Sequence, residues 1–160
     1  MEVFDHDDGF TLIELMVVFS VIAILVLIAV PTFLGARVPA QDKQAEAILH
    51  TSLADVKVGA TDTGDYAWVS SSAMQELESS VNYVDAATPA AAGSRQVSVG
   101  TGVLNGNTYV ILASKSAAGR CFALFEQLTA TTGYLADAVP SCEAGAFVPG
   151  SGWSPGGWSG

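Results

Sequence analysis

Between Phe10 and Leu34 the chain places 25 residues with a single charge among them, Glu14. As a helix rising ~1.5 Å per residue, such a run crosses the roughly 30 Å hydrocarbon core of a bilayer. From Leu15 to Val30 only Met16, Phe19 and Ser20 are not aliphatic, and the next charge is Arg37. A cleaved secretory signal has an apolar core of about 7–15 residues. The run is longer than that and reads as a membrane helix that stays with the protein, too near the N-terminus to leave a cytoplasmic domain ahead of it.

Beyond the span the pattern changes without a helix stop. In "AQDKQAEAILHTSLADVKV" the apolar positions Ala45, Ile48, Leu49, Leu53 and Val56 keep helical spacing, and Asp42, Lys43, Glu46, His50 and Asp55 fall largely between them. The helix thus becomes one-sided, as if lying on a core, and is expected to end near Gly59. Pro31, Gly35 and Pro39 are possible kinks or unwinding points. "SSAMQELESSV" predicts a short second helix, with Ser72 and Gln75 as a capping box and Met74, Leu77 and Val81 on its apolar side. A loop follows through Ser94. Three strand candidates come next, "RQVSVG", "TYVILASKS" and "RCFALFEQLTA", with a hairpin turn at Asn105–Thr108 and a fourth short strand around "TGYLADAV". A long helix followed by consecutive antiparallel strands predicts an α+β domain with its sheet wrapped on the helix. Residues 144–160 are dominated by Gly, Pro, Ser and Trp and read as a mobile tail. Trp153 and Trp158 within it are either exposed contacts or fold back on the head.

The net charge is −10, with Glu2, Asp5, Asp7 and Asp8 ahead of the span and 12 acids against 6 bases after Gly9. That balance offers no general footprint for nucleic acid. Two cysteines allow one intramolecular pairing, Cys121 with Cys142, favoured if this part of the chain is exported. The bridge closes 20 intervening residues, worth roughly 3 kcal/mol on the loop-entropy account.

The stretch Gly9, Phe10, Thr11, Leu12, Ile13, Glu14, Leu15 resembles the cleavage and assembly motif of type IV pilins and the related pseudopilins. The likeness runs through the span to Pro31 and Phe33, and extends in kind to the helix, sheet and late disulfide-closed loop. It implies that residues 1–9 are a leader removed by a prepilin peptidase, which cuts after Gly9 and methylates the new amino terminus at Phe10. Residues 10–34 would be the transmembrane and filament-core helix, 35–143 the α+β head and 144–160 the tail. Glu14 would pair with the Phe10 amine of a neighbouring subunit, offsetting a cost of about 2.5–3.5 kcal/mol for an acid at mid-bilayer. The other reading of Glu14 is a carboxylate that snorkels to the headgroups. Around Pro31 the resemblance implies local melting on assembly; a static kink is the alternative.

The leader "MEVFDHDDG" has no Lys or Arg, whereas family leaders are short and basic. With Arg37 beyond the span it opposes the positive-inside rule; the expected resolution is a basic stretch upstream of Met1, the alternative an insertion machinery that tolerates this leader.

The resemblance implies a structural subunit of a type IV pilus filament, serving adhesion, motility or DNA uptake. Its partners would be further copies of itself, minor pilins, the prepilin peptidase, an inner-membrane assembly platform with its ATPase, and membrane lipid before assembly. The location implied is a single pass of a bacterial cell membrane, then an extracellular pilus or a periplasmic pseudopilus. The runner-up is a pseudopilin of a type II secretion or competence system. Secretion pseudopilins often bind calcium near the C-terminus, where this chain has only Asp137 and Glu143. A third possibility is an anchored binding module that never polymerises. An enzyme is not expected. His6 and His50 are the only histidines, no Ser/His/Asp grouping or metal-ligand spacing occurs, and the cysteines lack CxxC spacing. No metal or other cofactor is expected.

Overall fold

The computed structural model describes residues 9–136, 141–149 and 152–158; residues 1–8, His6 among them, and Asp137 lie outside the described residues. The chain divides into two units, Met1–Arg37 and Val38–Gly160.

Helix α1 spans Leu12–Thr63 and contributes to both units. In the first unit every residue from 9 to 37 is exposed, and its helix is apolar on all sides. Polar side chains in the span are satisfied locally. The Ser20 hydroxyl donates to the Met16 carbonyl at 2.9 Å, and the Thr32 hydroxyl to those of Ala29 and Ile28 at 2.9 and 3.2 Å. The helix continues through Pro31, Gly35 and Pro39.

In the second unit α1 runs four residues past the expected stop at Gly59. It buries the predicted stripe Ala45, Ile48, Leu49, Leu53 and Val56, together with Ala60. Asp42, expected on the polar side, is buried too, because Arg120 reaches it with Nη1 3.0 Å from Oδ2.

Helix α2 (Ser71–Leu77) is capped by Ser70, whose Oγ accepts from the Ala73 amide at 3.1 Å. The Ser72–Gln75 box is therefore corrected: Gln75 turns instead to the strand that follows. Met74 and Val81 are buried as expected, while Leu77 is exposed.

Five strands form one sheet in chain order: β1 (Asn82–Asp85), β2 (Gln96–Leu104), β3 (Asn107–Lys115), β4 (Cys121–Gln127) and β5 (Gly133–Ala136). β2 to β5 are antiparallel neighbours, as predicted. β1 was not expected; it lies in the stretch read as loop and pairs parallel to β2. The β2–β3 turn is Asn105–Gly106 with φ of 53° and 81°, the pair of positive angles that a two-residue type I′ hairpin requires.

The sheet is covered on both faces. Val97, Val99, Val110, Leu112, Phe122 and Leu124 meet the α1 stripe, with Tyr66, Val69 and Met74 closing the ends. On the other face Ile111, Ala113, Cys121, Ala123 and Phe125 pack with Cys142, Ala144 and Phe147 from the segment after the bridge. This second core explains why β4 is buried along its whole length. Cys121 and Cys142 are disulfide-bonded.

The 144–160 segment takes the fold-back course where it is described. Ser154 bridges to Tyr134, while Trp153 and Trp158 pack against the sheet.

Candidate functional site

The helix begins one turn after the glycine that the sequence motif marks. Gly9, Phe10 and Thr11 precede α1 and are exposed, so the Gly9–Phe10 peptide bond lies outside helical hydrogen bonding. A peptide bond in that state is open to an enzyme groove in a way that a helical one is not. Phe10 is 90 % exposed.

Thr11 and Glu14 then close the helix start on each other. The Thr11 amide and hydroxyl both donate to Glu14 Oε2 at 2.8 Å, and the Glu14 amide donates back to Thr11 Oγ1 at 3.3 Å. This reciprocal pattern is a capping box, with Thr at the cap and Glu three residues on. It satisfies orphan amides at the end of the apolar helix, where no water would replace the bonds inside a bilayer. A carboxylate at the N-terminus also faces the positive end of the helix dipole. Sequence reasoning read Glu14 as paired between subunits or snorkelling and missed its cap with Thr11, although Thr-x-x-Glu ahead of an apolar run is itself a readable signal. Both Thr11 bonds use one carboxylate oxygen. A carboxylate has a second oxygen with its own lone pairs, so capping and pairing with an amine are chemically compatible.

From Phe10 to Val38 the large apolar side chains, among them Leu12, Phe19, Leu27 and Phe33, stand exposed. Side chains of this kind gain about 1.5–3 kcal/mol each on full burial. The helix is long and apolar enough to cross a membrane. Pro31 falls within it, so the Leu27 carbonyl lacks its usual amide donor, and Thr32 donates to the neighbouring carbonyls instead.

The ionisable groups of the head are arranged for cohesion. Glu126 is buried at the end of β4. It accepts from Thr132 Oγ1 at 2.5 Å and from the Tyr66 hydroxyl at 3.5 Å, and pairs with Lys57 Nζ at 3.4 Å. Burial, then the Glu126 charge, pushes the Tyr66 phenol up to about 12. The network ties α1, the loop after it and β4 together. Arg120 pairs with Asp42 and lies 5.3 Å from the Phe122 ring centroid. His50, placed between the apolar positions of α1, is exposed but touches Trp158 and Tyr134, with ring centroids 5.0 and 5.8 Å away. Glu143 accepts from Ser141 Oγ at 3.0 Å. Among the described residues no three or more His, Cys, Asp or Glu side chains form a group able to hold a metal.

A family profile described as the prokaryotic N-terminal methylation motif matches residues 6–30. No curated protein and no solved structure matches the chain.

Proposed function

We propose that this chain, which carries at residues 6–30 the signature of type IV pilin and pseudopilin precursors, is a structural subunit of a type IV pilus filament. One observation carries the reading: the signature opens a helix whose large apolar side chains, from Leu12 to Val38, stand exposed among the described residues. A bilayer covers it before assembly. In a filament, equivalent helices of neighbouring copies do so, and the burial that anchored the precursor becomes cohesion between subunits.

In this reading a prepilin peptidase cuts after Gly9 and methylates Phe10. The freed amine stands one residue ahead of the Thr11 cap, at the rim of the apolar segment. Glu14 of one copy pairs with the Phe10 amine of the next while still holding Thr11, so the contact is charge-assisted and fixes the axial register. Pro31, which already strips one hydrogen bond from α1, is where the helix opens as copies pack. The head displays its surface outward. Its acidic balance, 12 acids to 6 bases after Gly9, gives no general nucleic-acid face.

Intact-mass and N-terminal analysis of the protein from its native envelope tests the foundation. The expected product begins at methylated Phe10; an uncut chain removes the reading. Glu14→Ala is then expected to leave the head folded and to reduce sheared-filament yield by an order of magnitude or more. An unchanged yield dismisses the pairing role. Recovery of filaments by shearing from the cell surface distinguishes a pilus from a periplasmic pseudopilus.

A further inference from the structure

The outer strands of a sheet carry backbone groups to which a strand of another molecule can bond. In this head both outer strands are met by groups of the same chain. On β1, the Tyr83 amide donates to Gln75 Oε1 at 3.0 Å, and Gln75 Nε2 donates to the Val81 carbonyl at 2.9 Å. One carboxamide thus offers an acceptor and a donor as the peptide of a neighbouring strand would.

On β5, the Tyr134 amide donates to the Ser154 carbonyl and the Ser154 amide to the Tyr134 carbonyl, both at 2.9 Å. This single bridge is held by two indoles on opposite faces of the sheet. Trp153 packs on the disulfide side, with ring centroids 5.6 Å from Phe125 and 5.9 Å from Phe147, and its Nε1 donates to the Val148 carbonyl at 3.0 Å. Trp158 packs on the α1 side, 4.8 Å from Tyr134 and 5.0 Å from His50, and its Nε1 donates to the Ala123 carbonyl at 3.0 Å. Gly133 makes the crossing possible, because a Cβ there would come within 2.7 Å of the Trp153 Cβ.

We propose that residues 152–158 are a latch straddling edge strand β5 which, with Gln75 at the opposite edge, denies strand addition to a second copy of this chain. Indoles that merely filled gaps in one core would not need to stand on both faces around a backbone bridge. The consequence rests on the filament reading: heads crowded along a filament meet at high local concentration, where edge-to-edge pairing would compete with helix bundling. The latch confines polymerisation to α1.

The test uses the full chain in detergent micelles, before any assembly, so its failure leaves the filament reading standing. In a Trp153→Ala/Trp158→Ala variant the Tyr134 amide is expected to exchange hydrogen about tenfold faster or more at low protein concentration, while the Leu112 amide in β3 keeps its protection. Raising the concentration should then restore Tyr134 protection and add, by light scattering, a dimer that the parent does not form. Parental exchange at Tyr134 overturns the proposal, as does an exposed Tyr134 edge without concentration-dependent reprotection. If Leu112 also loses protection, Ser154→Pro decides the matter, since it removes the amide that donates to the Tyr134 carbonyl and keeps both indoles. A concentration-dependent dimer supports the latch, and a variant that keeps the parental size refutes it.

Discussion

Residues 12–37 and residues 38–63 of α1 are both helical, yet the first stretch buries nothing while the second buries Ala45, Ile48, Leu49, Ser52, Leu53, Val56 and Ala60 beneath a sheet. The first is apolar on every side; the second is apolar on one. Helicity in the two halves therefore has different support. The second half is held by a core that the same chain supplies. The first has local hydrogen bonds, a Thr11–Glu14 cap, and an apolar surface left exposed among the described residues.

The sharpest way to break the comparison is to truncate one leucine in each half. Leu49→Ala, at a fully buried position, is expected to destabilise the head by about 2–5 kcal/mol. Leu27→Ala, 77 % exposed in the chain, should leave the head's thermal midpoint in detergent unchanged. Equal shifts in calorimetry would mean that the two halves unfold as one.

Removing the bridge probes the head alone. Cys121→Ser/Cys142→Ser is expected to cost about 2–4 kcal/mol, read by urea denaturation. It should also loosen the second sheet face, where Ala144 donates to Ser98 Oγ at 2.9 Å and Phe147 is buried. A smaller effect comes from Tyr66. Its folded pKa lies above the ordinary 10.0, at about 12, so the unfolded chain loses the proton first as pH rises. Stability from this group is complete below pH 10.0 and falls away towards about pH 12. Tyr83, also raised, chiefly by burial, adds in the same direction. Tyr66→Phe should flatten part of that alkaline slope without touching the apolar half.

The smallest expected effect is at Asp55, whose Oδ2 is buried without a hydrogen-bond partner among the described residues. Burial, then the Glu78 charge, raises its pKa, so the folded head gains relative stability as pH falls through the carboxylate range. Asp55→Asn is expected to raise the thermal midpoint slightly at neutral pH and to leave it level with the parent in acid. A lower midpoint at neutral pH would show that the charge has a partner.

Much of this organisation was legible before any coordinates. The buried stripe from Ala45 to Val56 follows from helical spacing alone, and the Asn105–Gly106 hairpin from the demand for two positive φ angles. The second core was missed, although "YVILA" and "CFALF" are continuous apolar runs, and continuity marks a strand covered on both sides. β1 was missed because four residues, Asn82–Asp85, are too few for alternation to register. Asp42 was misplaced because its partner Arg120 is distant in sequence, and the cap at Ser70 because three serines in a row offer equivalent starts.

By itself the sequence determined the apolar helix, its motif, the one-sided continuation and the one possible cysteine pairing. Each depends on composition and on spacing between near neighbours, and short-range sterics and hydration act there directly. Tertiary structure alone decided that β1 runs parallel, that the sheet has two cores, that Glu126 gathers Lys57, Tyr66 and Thr132, and that the two tail tryptophans grip opposite faces of β5. Those outcomes join residues far apart in the chain, and which of them meet is fixed by packing rather than by any local pattern.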